Sequence, residues 1–456
     1  MDKKSNFYAL CDQLSLVALY LYALECVLGC SGQWLRFGPL SIRMVLFGIC
    51  FVLTLPNVLR NLKTLLRTRH VVCALLLGAY LVVAAGIGWR NGNALNFIKA
   101  DMTGFMALGL LPGILTTICT KERLAKLTNV IFYGTFALGL VTVILHFFFA
   151  FAENIQIYNL NICINEHSMG GLAGMATGMQ RTYFRSHIFL QVGLIIGLQK
   201  AWCKKGYARW LLFGAEAIIA YACLMTYTRG FWLGFALSAV ALLIMYPWQW
   251  KRYLSSVSIM AGLLAVLFLF SWLSYGKPVA AVEVVNRFNP DLISGAIFLP
   301  GHSGGDDATE DPSATDPDAD QAAVQLRQET LRLLGKRISN KPLFGNGLGT
   351  NLDEIRDDGK VEYTYYDVIM KIGLVGFALF VCAFFLPAFG MLKRRIKGLV
   401  TKKEVPWESL EMSNTAILAA FIGVAITSYL NPFLINPMGI FLVMHLSIAS
   451  QCENIE

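Results

Sequence analysis

Residues 301–320 read GHSGGDDATEDPSATDPDAD, a tract with seven carboxylates and no Lys or Arg. It lies inside a longer polar segment, Tyr275–Tyr365, that holds 15 of the 29 acidic residues in the 456-residue chain. The sequence on either side is far too apolar for a soluble protein. The whole chain is 56% hydrophobic and only 15% charged, a composition that belongs to polytopic membrane proteins.

Working outward from the tract, apolar runs approach the ~20 residues that a membrane helix needs. They are Leu14–Cys30, Leu40–Leu59, Val71–Trp89, Ala100–Cys119, Asn129–Ala152, His187–Ala201, Trp210–Tyr227, Phe231–Trp248 and Leu254–Leu273 before the loop. Tyr366–Met391, Thr415–Leu430 and Leu434–Ser450 follow it. The expectation is an all-α polytopic fold of about twelve spans, the runs at His187 and Leu434 being the shortest. Residues 1–274 carry spans one to nine with a small polar segment at 153–183. Residues 275–365 form one large outer loop, and 366–456 carry the last three spans.

The net charge of +9 is no nucleic-acid signal, because it is distributed by topology. Lys and Arg collect in loops that stay in the cytoplasm. The basic clusters are Lys3/Lys4, Arg60–Arg69, Lys121–Lys126, Lys200–Arg209, Lys251/Arg252 and Lys393–Lys403. Twelve alternating spans put all of them on one side, with both termini cytoplasmic and the acidic loop outside. No small-residue cleavage site follows Met1–Gln13, so the first span is expected to be a retained anchor. The 11 cysteines show no metal-type spacing. Cys30 and Cys163 could both face outward and pair, but free thiols are favoured.

The loop has parts. Gly301–Asp320 cannot bury enough apolar surface to fold and reads as a flexible insertion. Its carboxylates lack the Gly-centred spacing of a Ca²⁺ loop, so a cation site is not favoured. Gln321–Ile338 has Val324, Leu331, Leu334 and Ile338 at helical spacing among Arg327, Arg332, Lys336 and Arg337. Such a basic amphipathic helix is expected at the lipid headgroups. Asn340–Gly349 follows as a Pro/Gly turn.

Four places bring polar groups to the outer face: Arg181 with Arg185, then Arg229 in a very short turn, then Arg327, and finally Glu362 with Tyr363, Tyr365 and Tyr366. Arg keeps its charge, and its planar fork matches phosphate oxygens. Snorkelling to lipid or a structural ion pair is the plain alternative for a single Arg, least so for Arg229 in its tight turn. Glu362, partly desolvated, suits proton transfer from an attacking hydroxyl; a solvated boundary carboxylate is its alternative. The tyrosines fit an interfacial belt or a sugar platform. His167 and His187 form no metal pattern, and no nucleotide-binding glycine loop or Ser-His-Asp arrangement is present.

Thr228-Arg229-Gly230 resembles the Ser/Thr-Arg-Gly signature of the O-antigen ligase and polysaccharide polymerase superfamily. Arg327, then Pro342-Leu343-Phe344-Gly345-Asn346-Gly347-Leu348-Gly349, then Gly373-Leu374-Val375-Gly376 continue the resemblance, which covers about Arg181 to Gly376. Leu331 stands where the family commonly has Trp, and Glu362 stands where the ligases carry His. A Glu there is more like the polymerase-type members. The resemblance implies a C-type-like glycosyltransferase of the bacterial inner membrane. It would use glycan carried on undecaprenyl diphosphate at the periplasmic face, without a cofactor or metal. Arg181 or Arg185 together with Arg229 would hold the diphosphate, Arg327, Tyr363 and Tyr366 would bind substrate, and Glu362 would act on the acceptor hydroxyl. The acceptor would be a glycan or lipid A core, with a chain-length regulator as a further partner.

A ligase that transfers finished glycan to lipid A core or protein is the nearest rival. A lipid-linked oligosaccharide flippase or transporter is the more distant one. It would place charges deep in the spans, for which Lys99, Asp101, Glu216 and Lys371 are the candidates. Either enzyme reading needs the loop outside. Alkaline phosphatase fused within Gly301–Asp320 is therefore expected to be active in cells. An inactive but stable fusion would reverse the orientation.

Overall fold

The computed structural model describes residues 3–30, 32, 35–37, 40–166, 169–175, 177, 179–287, 317–352, 354, 361–401 and 405–453. The first part holds α1 (Lys3–Leu28), α2 (Ile42–Arg60), the short α3 (Leu62–Leu65), α4 (Arg69–Arg90), α5 (Leu95–Met106), α6 (Leu111–Thr117) and α7 (Lys121–Phe148). After α8 (Asn154–Glu166) come α9 (Ile188–Trp202), α10 (Tyr207–Met225), α11 (Arg229–Met245), α12 (Trp250–Tyr275) and α13 (Val279–Arg287). The chain closes with α14 (Pro317–Asn340), α15 (Thr364–Val400), α16 (Leu410–Leu430) and α17 (Pro437–Glu453). Two short antiparallel pairs, β1 (Arg36–Phe37) with β2 (Leu40–Ser41) and β3 (Gly170–Gly174) with β4 (Gln180–Phe184), are the only sheets among the described residues.

Nine helical stretches among the described residues are long and apolar enough to cross a membrane. The other three expected spans are shorter helices, α9 with 15 residues and α11 and α17 with 17 each. The protein is an all-α, multi-pass membrane protein. Lipid gives no hydrophobic drive for helix association, so small residues that allow close approach do much of the joining. Gly230, Gly234 and Ser238 of α11 meet Gly423 and Thr427 of α16 in this way. Thr427 Oγ1 donates to the Gly230 carbonyl at 3.0 Å, which fixes the first turn of α11 against the end of α16.

The feature that organises the loop face is a break in α15. Gly373 sits at φ 65° and ψ −176°, a backbone state open to glycine. An unbroken helix would have the N–H groups of Leu374 and Val375 donate to the carbonyls of Met370 and Lys371. Here they donate to the carbonyls of Pro342 (2.9 Å) and Leu343 (3.1 Å). The freed carbonyls of Met370 and Lys371 accept from the N–H groups of Asn346 (2.8 Å) and Gly347 (2.9 Å). Residues 342–347 are thus stitched into the gap, and every group the break exposes is satisfied, as a low-dielectric setting demands. The Tyr80 hydroxyl donates to the Ile372 carbonyl at 3.1 Å and completes the seam.

The C-terminal end of α4 braces the same loop. Leu348 N–H donates to the Ala84 carbonyl at 3.0 Å, and Asn91 and Asn93 donate to the carbonyls of Asn346 (2.7 Å) and Leu348 (2.9 Å). Gly88 and Gly347 pack backbone to backbone with no space for a Cβ on either. Lys371 and Asp101, two of the candidate transport-path charges, are instead paired at 2.9 Å. Lys371 also pairs with Asp367 at 3.0 Å, and Asp101 accepts from Gly349 N–H at 2.7 Å. The charges form a clamp between loop and spans. Lys99 is exposed, and Glu216 is buried against α9.

Three loop-face expectations are adjusted. The loop helix begins at Pro317, four residues before the expected Gln321, and the rest of the acidic tract, 301–316, lies outside the described residues, as does His167. The apolar face of α14 turns inward rather than toward lipid. Leu333 and Leu334 join Leu352, Val361, Tyr363 and Met370 in a second small core, with Leu331 and Ile338 at its edge. Two of its arginines are paired with carboxylates on the loop side, Arg332 with Glu329 at 2.6 Å and Arg337 with Glu354 at 2.9 Å. Cys30 is buried, whereas Cys163 is exposed.

The stitched break sets a stability expectation. Gly347→Ala adds a Cβ into the Gly88 backbone at a positive φ of 90°, which should cost about 1–3 kcal/mol or more. Gly390→Ala meets nothing within 4 Å and should be neutral or slightly stabilising in its helix. Thermal unfolding of the detergent-purified protein compares the two. Equal melting temperatures would mean that the seam does not hold the loop.

Candidate functional site

The turn between α10 and α11 is built by Arg181 from outside the spans. Arg181 lies on β4, and its guanidinium donates to the Thr226 carbonyl (2.6 Å) and to Thr228 Oγ1 (3.0 Å). Between those two residues Tyr227 adopts a left-handed backbone, φ 49°, a strain that persists only where the surroundings impose it. Burial, with Arg287 nearby, pushes the Arg181 guanidinium down to about 10. Tyr183, two residues on, stacks on Phe231 at 6.5 Å and ties the hairpin to the start of α11. Arg185 follows in a short 3-10 turn and is half-buried, with its N–H on the Met169 carbonyl. His187 is buried, with one ring nitrogen on Phe184 N–H and the other 3.0 Å from Thr142.

Arg229 opens α11 and lines a cavity of about 430 Å³. Arg287, the last residue of α13, lines the same cavity, whose remaining wall is apolar and includes Leu224, Trp232, Ala236 and Leu264. The α13 arm is anchored one turn earlier, where the buried Glu283 carboxylate accepts from Thr177 N–H in the hairpin connection. Neither Glu283 nor Arg287 stands out in the sequence. Arg287 ends a nine-residue helix with no motif around it, and the one available signal is a cation just past a span on the loop side.

Glu362 and Arg327 meet as an ion pair of 3.5 Å, each side chain about one-third exposed at 33% and 34%. Tyr363 follows Glu362 with a left-handed backbone, φ 68°. Its ring packs edge-on against Tyr366 (6.4 Å) and Tyr429 (5.7 Å). Below this cluster a second apolar groove of about 520 Å³ runs along α15 and α16, with Tyr365, Phe385, Phe421 and Tyr429 among its walls. Leu233 and Leu430 belong to both cavities.

Arg229 and Glu362, 133 residues apart in sequence, flank one short piece of chain at the end of α16. The Thr364 hydroxyl donates to the Asn431 carbonyl at 2.7 Å, while the Asn431 amide borders Gly230. Leu430 packs on the core that contains Tyr363 and lines the cavity headed by Arg229. The geometry thus sorts the sequence candidates. Arg181 is committed to the turn, Arg327 to Glu362, and Arg229 and Arg287 face a shared cavity.

These features define a multi-pass membrane protein with a polar assembly at one membrane face, fed by apolar grooves between its helices. A family model described as O-Antigen ligase matches residues 214–381, from α10 to beyond the break in α15. The chain carries an O-antigen ligase family domain over that stretch, which supports the ligase and polymerase superfamily that its motifs resemble. No curated protein matches the chain.

The role of Arg181 can be tested directly. Arg181→Ala removes two hydrogen bonds from a charged donor and should destabilise the purified protein by about 1.5–3 kcal/mol. A melting temperature equal to that of the native protein would mean that Arg181 does not hold the turn.

Proposed function

We propose that this protein is a glycan polymerase of the O-antigen or exopolysaccharide type. It transfers an oligosaccharide from undecaprenyl diphosphate to an acceptor sugar hydroxyl at the periplasmic face of a bacterial inner membrane, with both termini in the cytoplasm. The observation that carries this reading is the family match over 214–381, which spans both Arg229 and Glu362. The contacts of Gly230 and Thr364, which lie one and two residues from them in sequence, with Asn431 support it.

In this reading the diphosphate rests on Arg229 and the acceptor on the Tyr363–Tyr366–Tyr429 cluster beside Glu362. The acceptor hydroxyl gives its proton to the Glu362 carboxylate, which Arg327 orients. The oxygen attacks the anomeric carbon from the side opposite the diphosphate. As the new C–O bond forms, the old one breaks, and its electron pair leaves on the diphosphate. The configuration inverts. Arg229 neutralises the departing charge, the role a preorganised cation plays in such a step. The description of the family model as an O-antigen ligase favours a second reading, ligation of finished glycan to lipid A core or protein. Glu362 in place of the ligase His favours polymerisation, with a chain-length regulator as a natural partner.

Purified protein given only lipid-linked repeat units tests the choice. A polymerase makes a ladder of longer lipid-linked glycans; a ligase makes nothing until lipid A core is added. Glu362→Gln should abolish transfer while donor binding persists. Arg229→Lys should do nearly as badly as Arg229→Ala, because Lys lacks the bidentate fork. Loss of a desolvated, charge-assisted contact costs about 2–5 kcal/mol, and each ~1.4 kcal/mol is tenfold in rate. Near-normal turnover by Glu362→Gln would remove it as the base.

A further inference from the structure

The end of the bundle opposite the loop carries a group of cations that the proposed transfer reaction does not use. Three parts of the chain assemble it: the connection between α9 and α10, the start of α12, and the connection between α15 and α16. Two tryptophans hold these parts together. The Trp202 indole N–H donates to Ser256 Oγ at 2.7 Å, and Ser256 Oγ donates in turn to the Arg252 carbonyl at 2.9 Å. The Trp407 indole N–H donates to the Gln199 carbonyl at 2.6 Å, and the Gln199 amide donates back to the Trp407 carbonyl at 3.1 Å. Both rings are fixed in place.

Each ring carries a guanidinium on its face. Arg209 lies over Trp202 at 4.8 Å, and Arg252 lies over Trp407 at 5.4 Å. Stacking of this kind occupies the flat face of the cation and leaves its N–H edge open. Arg209 gives its Nε–H to the Lys204 carbonyl at 2.8 Å. Arg252 is exposed and makes no hydrogen bond or ion pair to a described residue. Lys204 is exposed too. Lys200, Lys204 and Arg252 all stand near enough to the Cys203 thiol for their charges to act on it. One carboxylate, that of Glu408, has the same reach, so positive charge is in excess.

Hydrocarbon begins directly beside these cations. The start of α10 exposes Trp210 and Leu211, and the start of α12 exposes Leu254 and Val257. Both helices are long and apolar enough to cross a membrane, and tryptophan beside basic residues is the usual mark of a membrane boundary. A soluble anion would use the cations alone and leave the apolar surface idle. A ligand that joins phosphate to hydrocarbon would use both.

We infer that this assembly is a binding site for an anionic phospholipid in the leaflet opposite the loop. The lipid phosphate lies across the N–H edges of Arg209 and Arg252 with Lys204 beside them, and its acyl chains run along α10 and α12. A zwitterionic lipid brings a cation of its own into the same positive field, so the site discriminates against it. The bound lipid bridges three segments that are far apart in sequence. The inference stands independently of the transfer reaction.

The test titrates detergent-purified full-length protein with phosphatidylglycerol. Phosphatidylcholine is the zwitterionic control, and glycerol 3-phosphate is the headgroup phosphate without tails. The melting temperature reads binding, and its value before lipid is added checks folding. Phosphatidylglycerol should raise the melting temperature of the native protein, and the other two should not. Arg209→Gln combined with Arg252→Gln should need about ten times more phosphatidylglycerol, or beyond, for a half-maximal rise. Arg67→Gln removes an exposed cation at the same membrane face, between α3 and α4, and should leave the titration unchanged. If the double variant is unstable before lipid, Arg252→Lys keeps the charge without the planar stack and should show a smaller shift in the same direction. An unchanged titration in these variants would overturn the site. So would an equal loss in Arg67→Gln, which would reduce the effect to general attraction between basic loops and anionic lipid. An equal rise with phosphatidylcholine would overturn the need for negative charge, and an equal rise with glycerol 3-phosphate would overturn the lipid as occupant.

Discussion

Everything at the loop face depends on a helix that is not allowed to finish its hydrogen bonds. The break at Gly373 leaves carbonyls at Met370 and Lys371 and N–H groups at Leu374 and Val375 facing the loop, and residues 342–347 supply the missing partners. In surroundings without water each such group would otherwise cost several kcal/mol. Neither side is complete alone. Glu362 and Tyr363 lie one short turn before the broken helix, so the seam fixes where the carboxylate and its tyrosines stand.

A second constraint works from the other side of the site. Arg181 reaches across from the hairpin to bind both ends of the α10–α11 turn, and Thr427 holds the first turn of α11. Among the described residues three non-glycine residues have positive φ; of these, Tyr227 lies two residues before Arg229 and Tyr363 directly follows Glu362. The third, Cys30, donates its N–H to Ser186, next to Arg185. Strain of this kind gathers where surrounding structure dictates a side chain's position. The end of α16 lies between the two constrained segments and links them.

The spans were legible because lipid demands long apolar runs; α9, α11 and α17 are shorter than ordinary membrane helices, and the broken α15 is longer. The repeat in Gln321–Ile338 announced a helix with an apolar face. It did not announce what covers that face, because Leu352, Val361 and Met370 arrive from elsewhere in the chain. The glycines at 345, 347 and 349 were legible as tight bends. Their partners were not, since these are chiefly backbone atoms of α4, α5 and α15, which carry no residue signature. The arginines were legible as charge, but charge does not reveal where it is committed. Arg181 reads as a ligand and holds a turn; Arg287 reads as nothing and lines the cavity.

The residues that brace the loop also bear on how this protein can be divided. The stretch carrying the family match begins at residue 214, yet the loop leans on Ala84, Gly88, Asn91, Asn93 and Asp101, all far upstream. The matched segment is therefore not a unit of folding. A chimaera that imports 214–381 from a relative would bring the site without its buttress. Gly88, whose Cβ would meet the Leu348 backbone, and Gly347, whose Cβ would meet Gly88, must be inherited together. Exchange of specificity between such proteins has to respect a boundary drawn by backbone contacts rather than by the extent of the shared motifs.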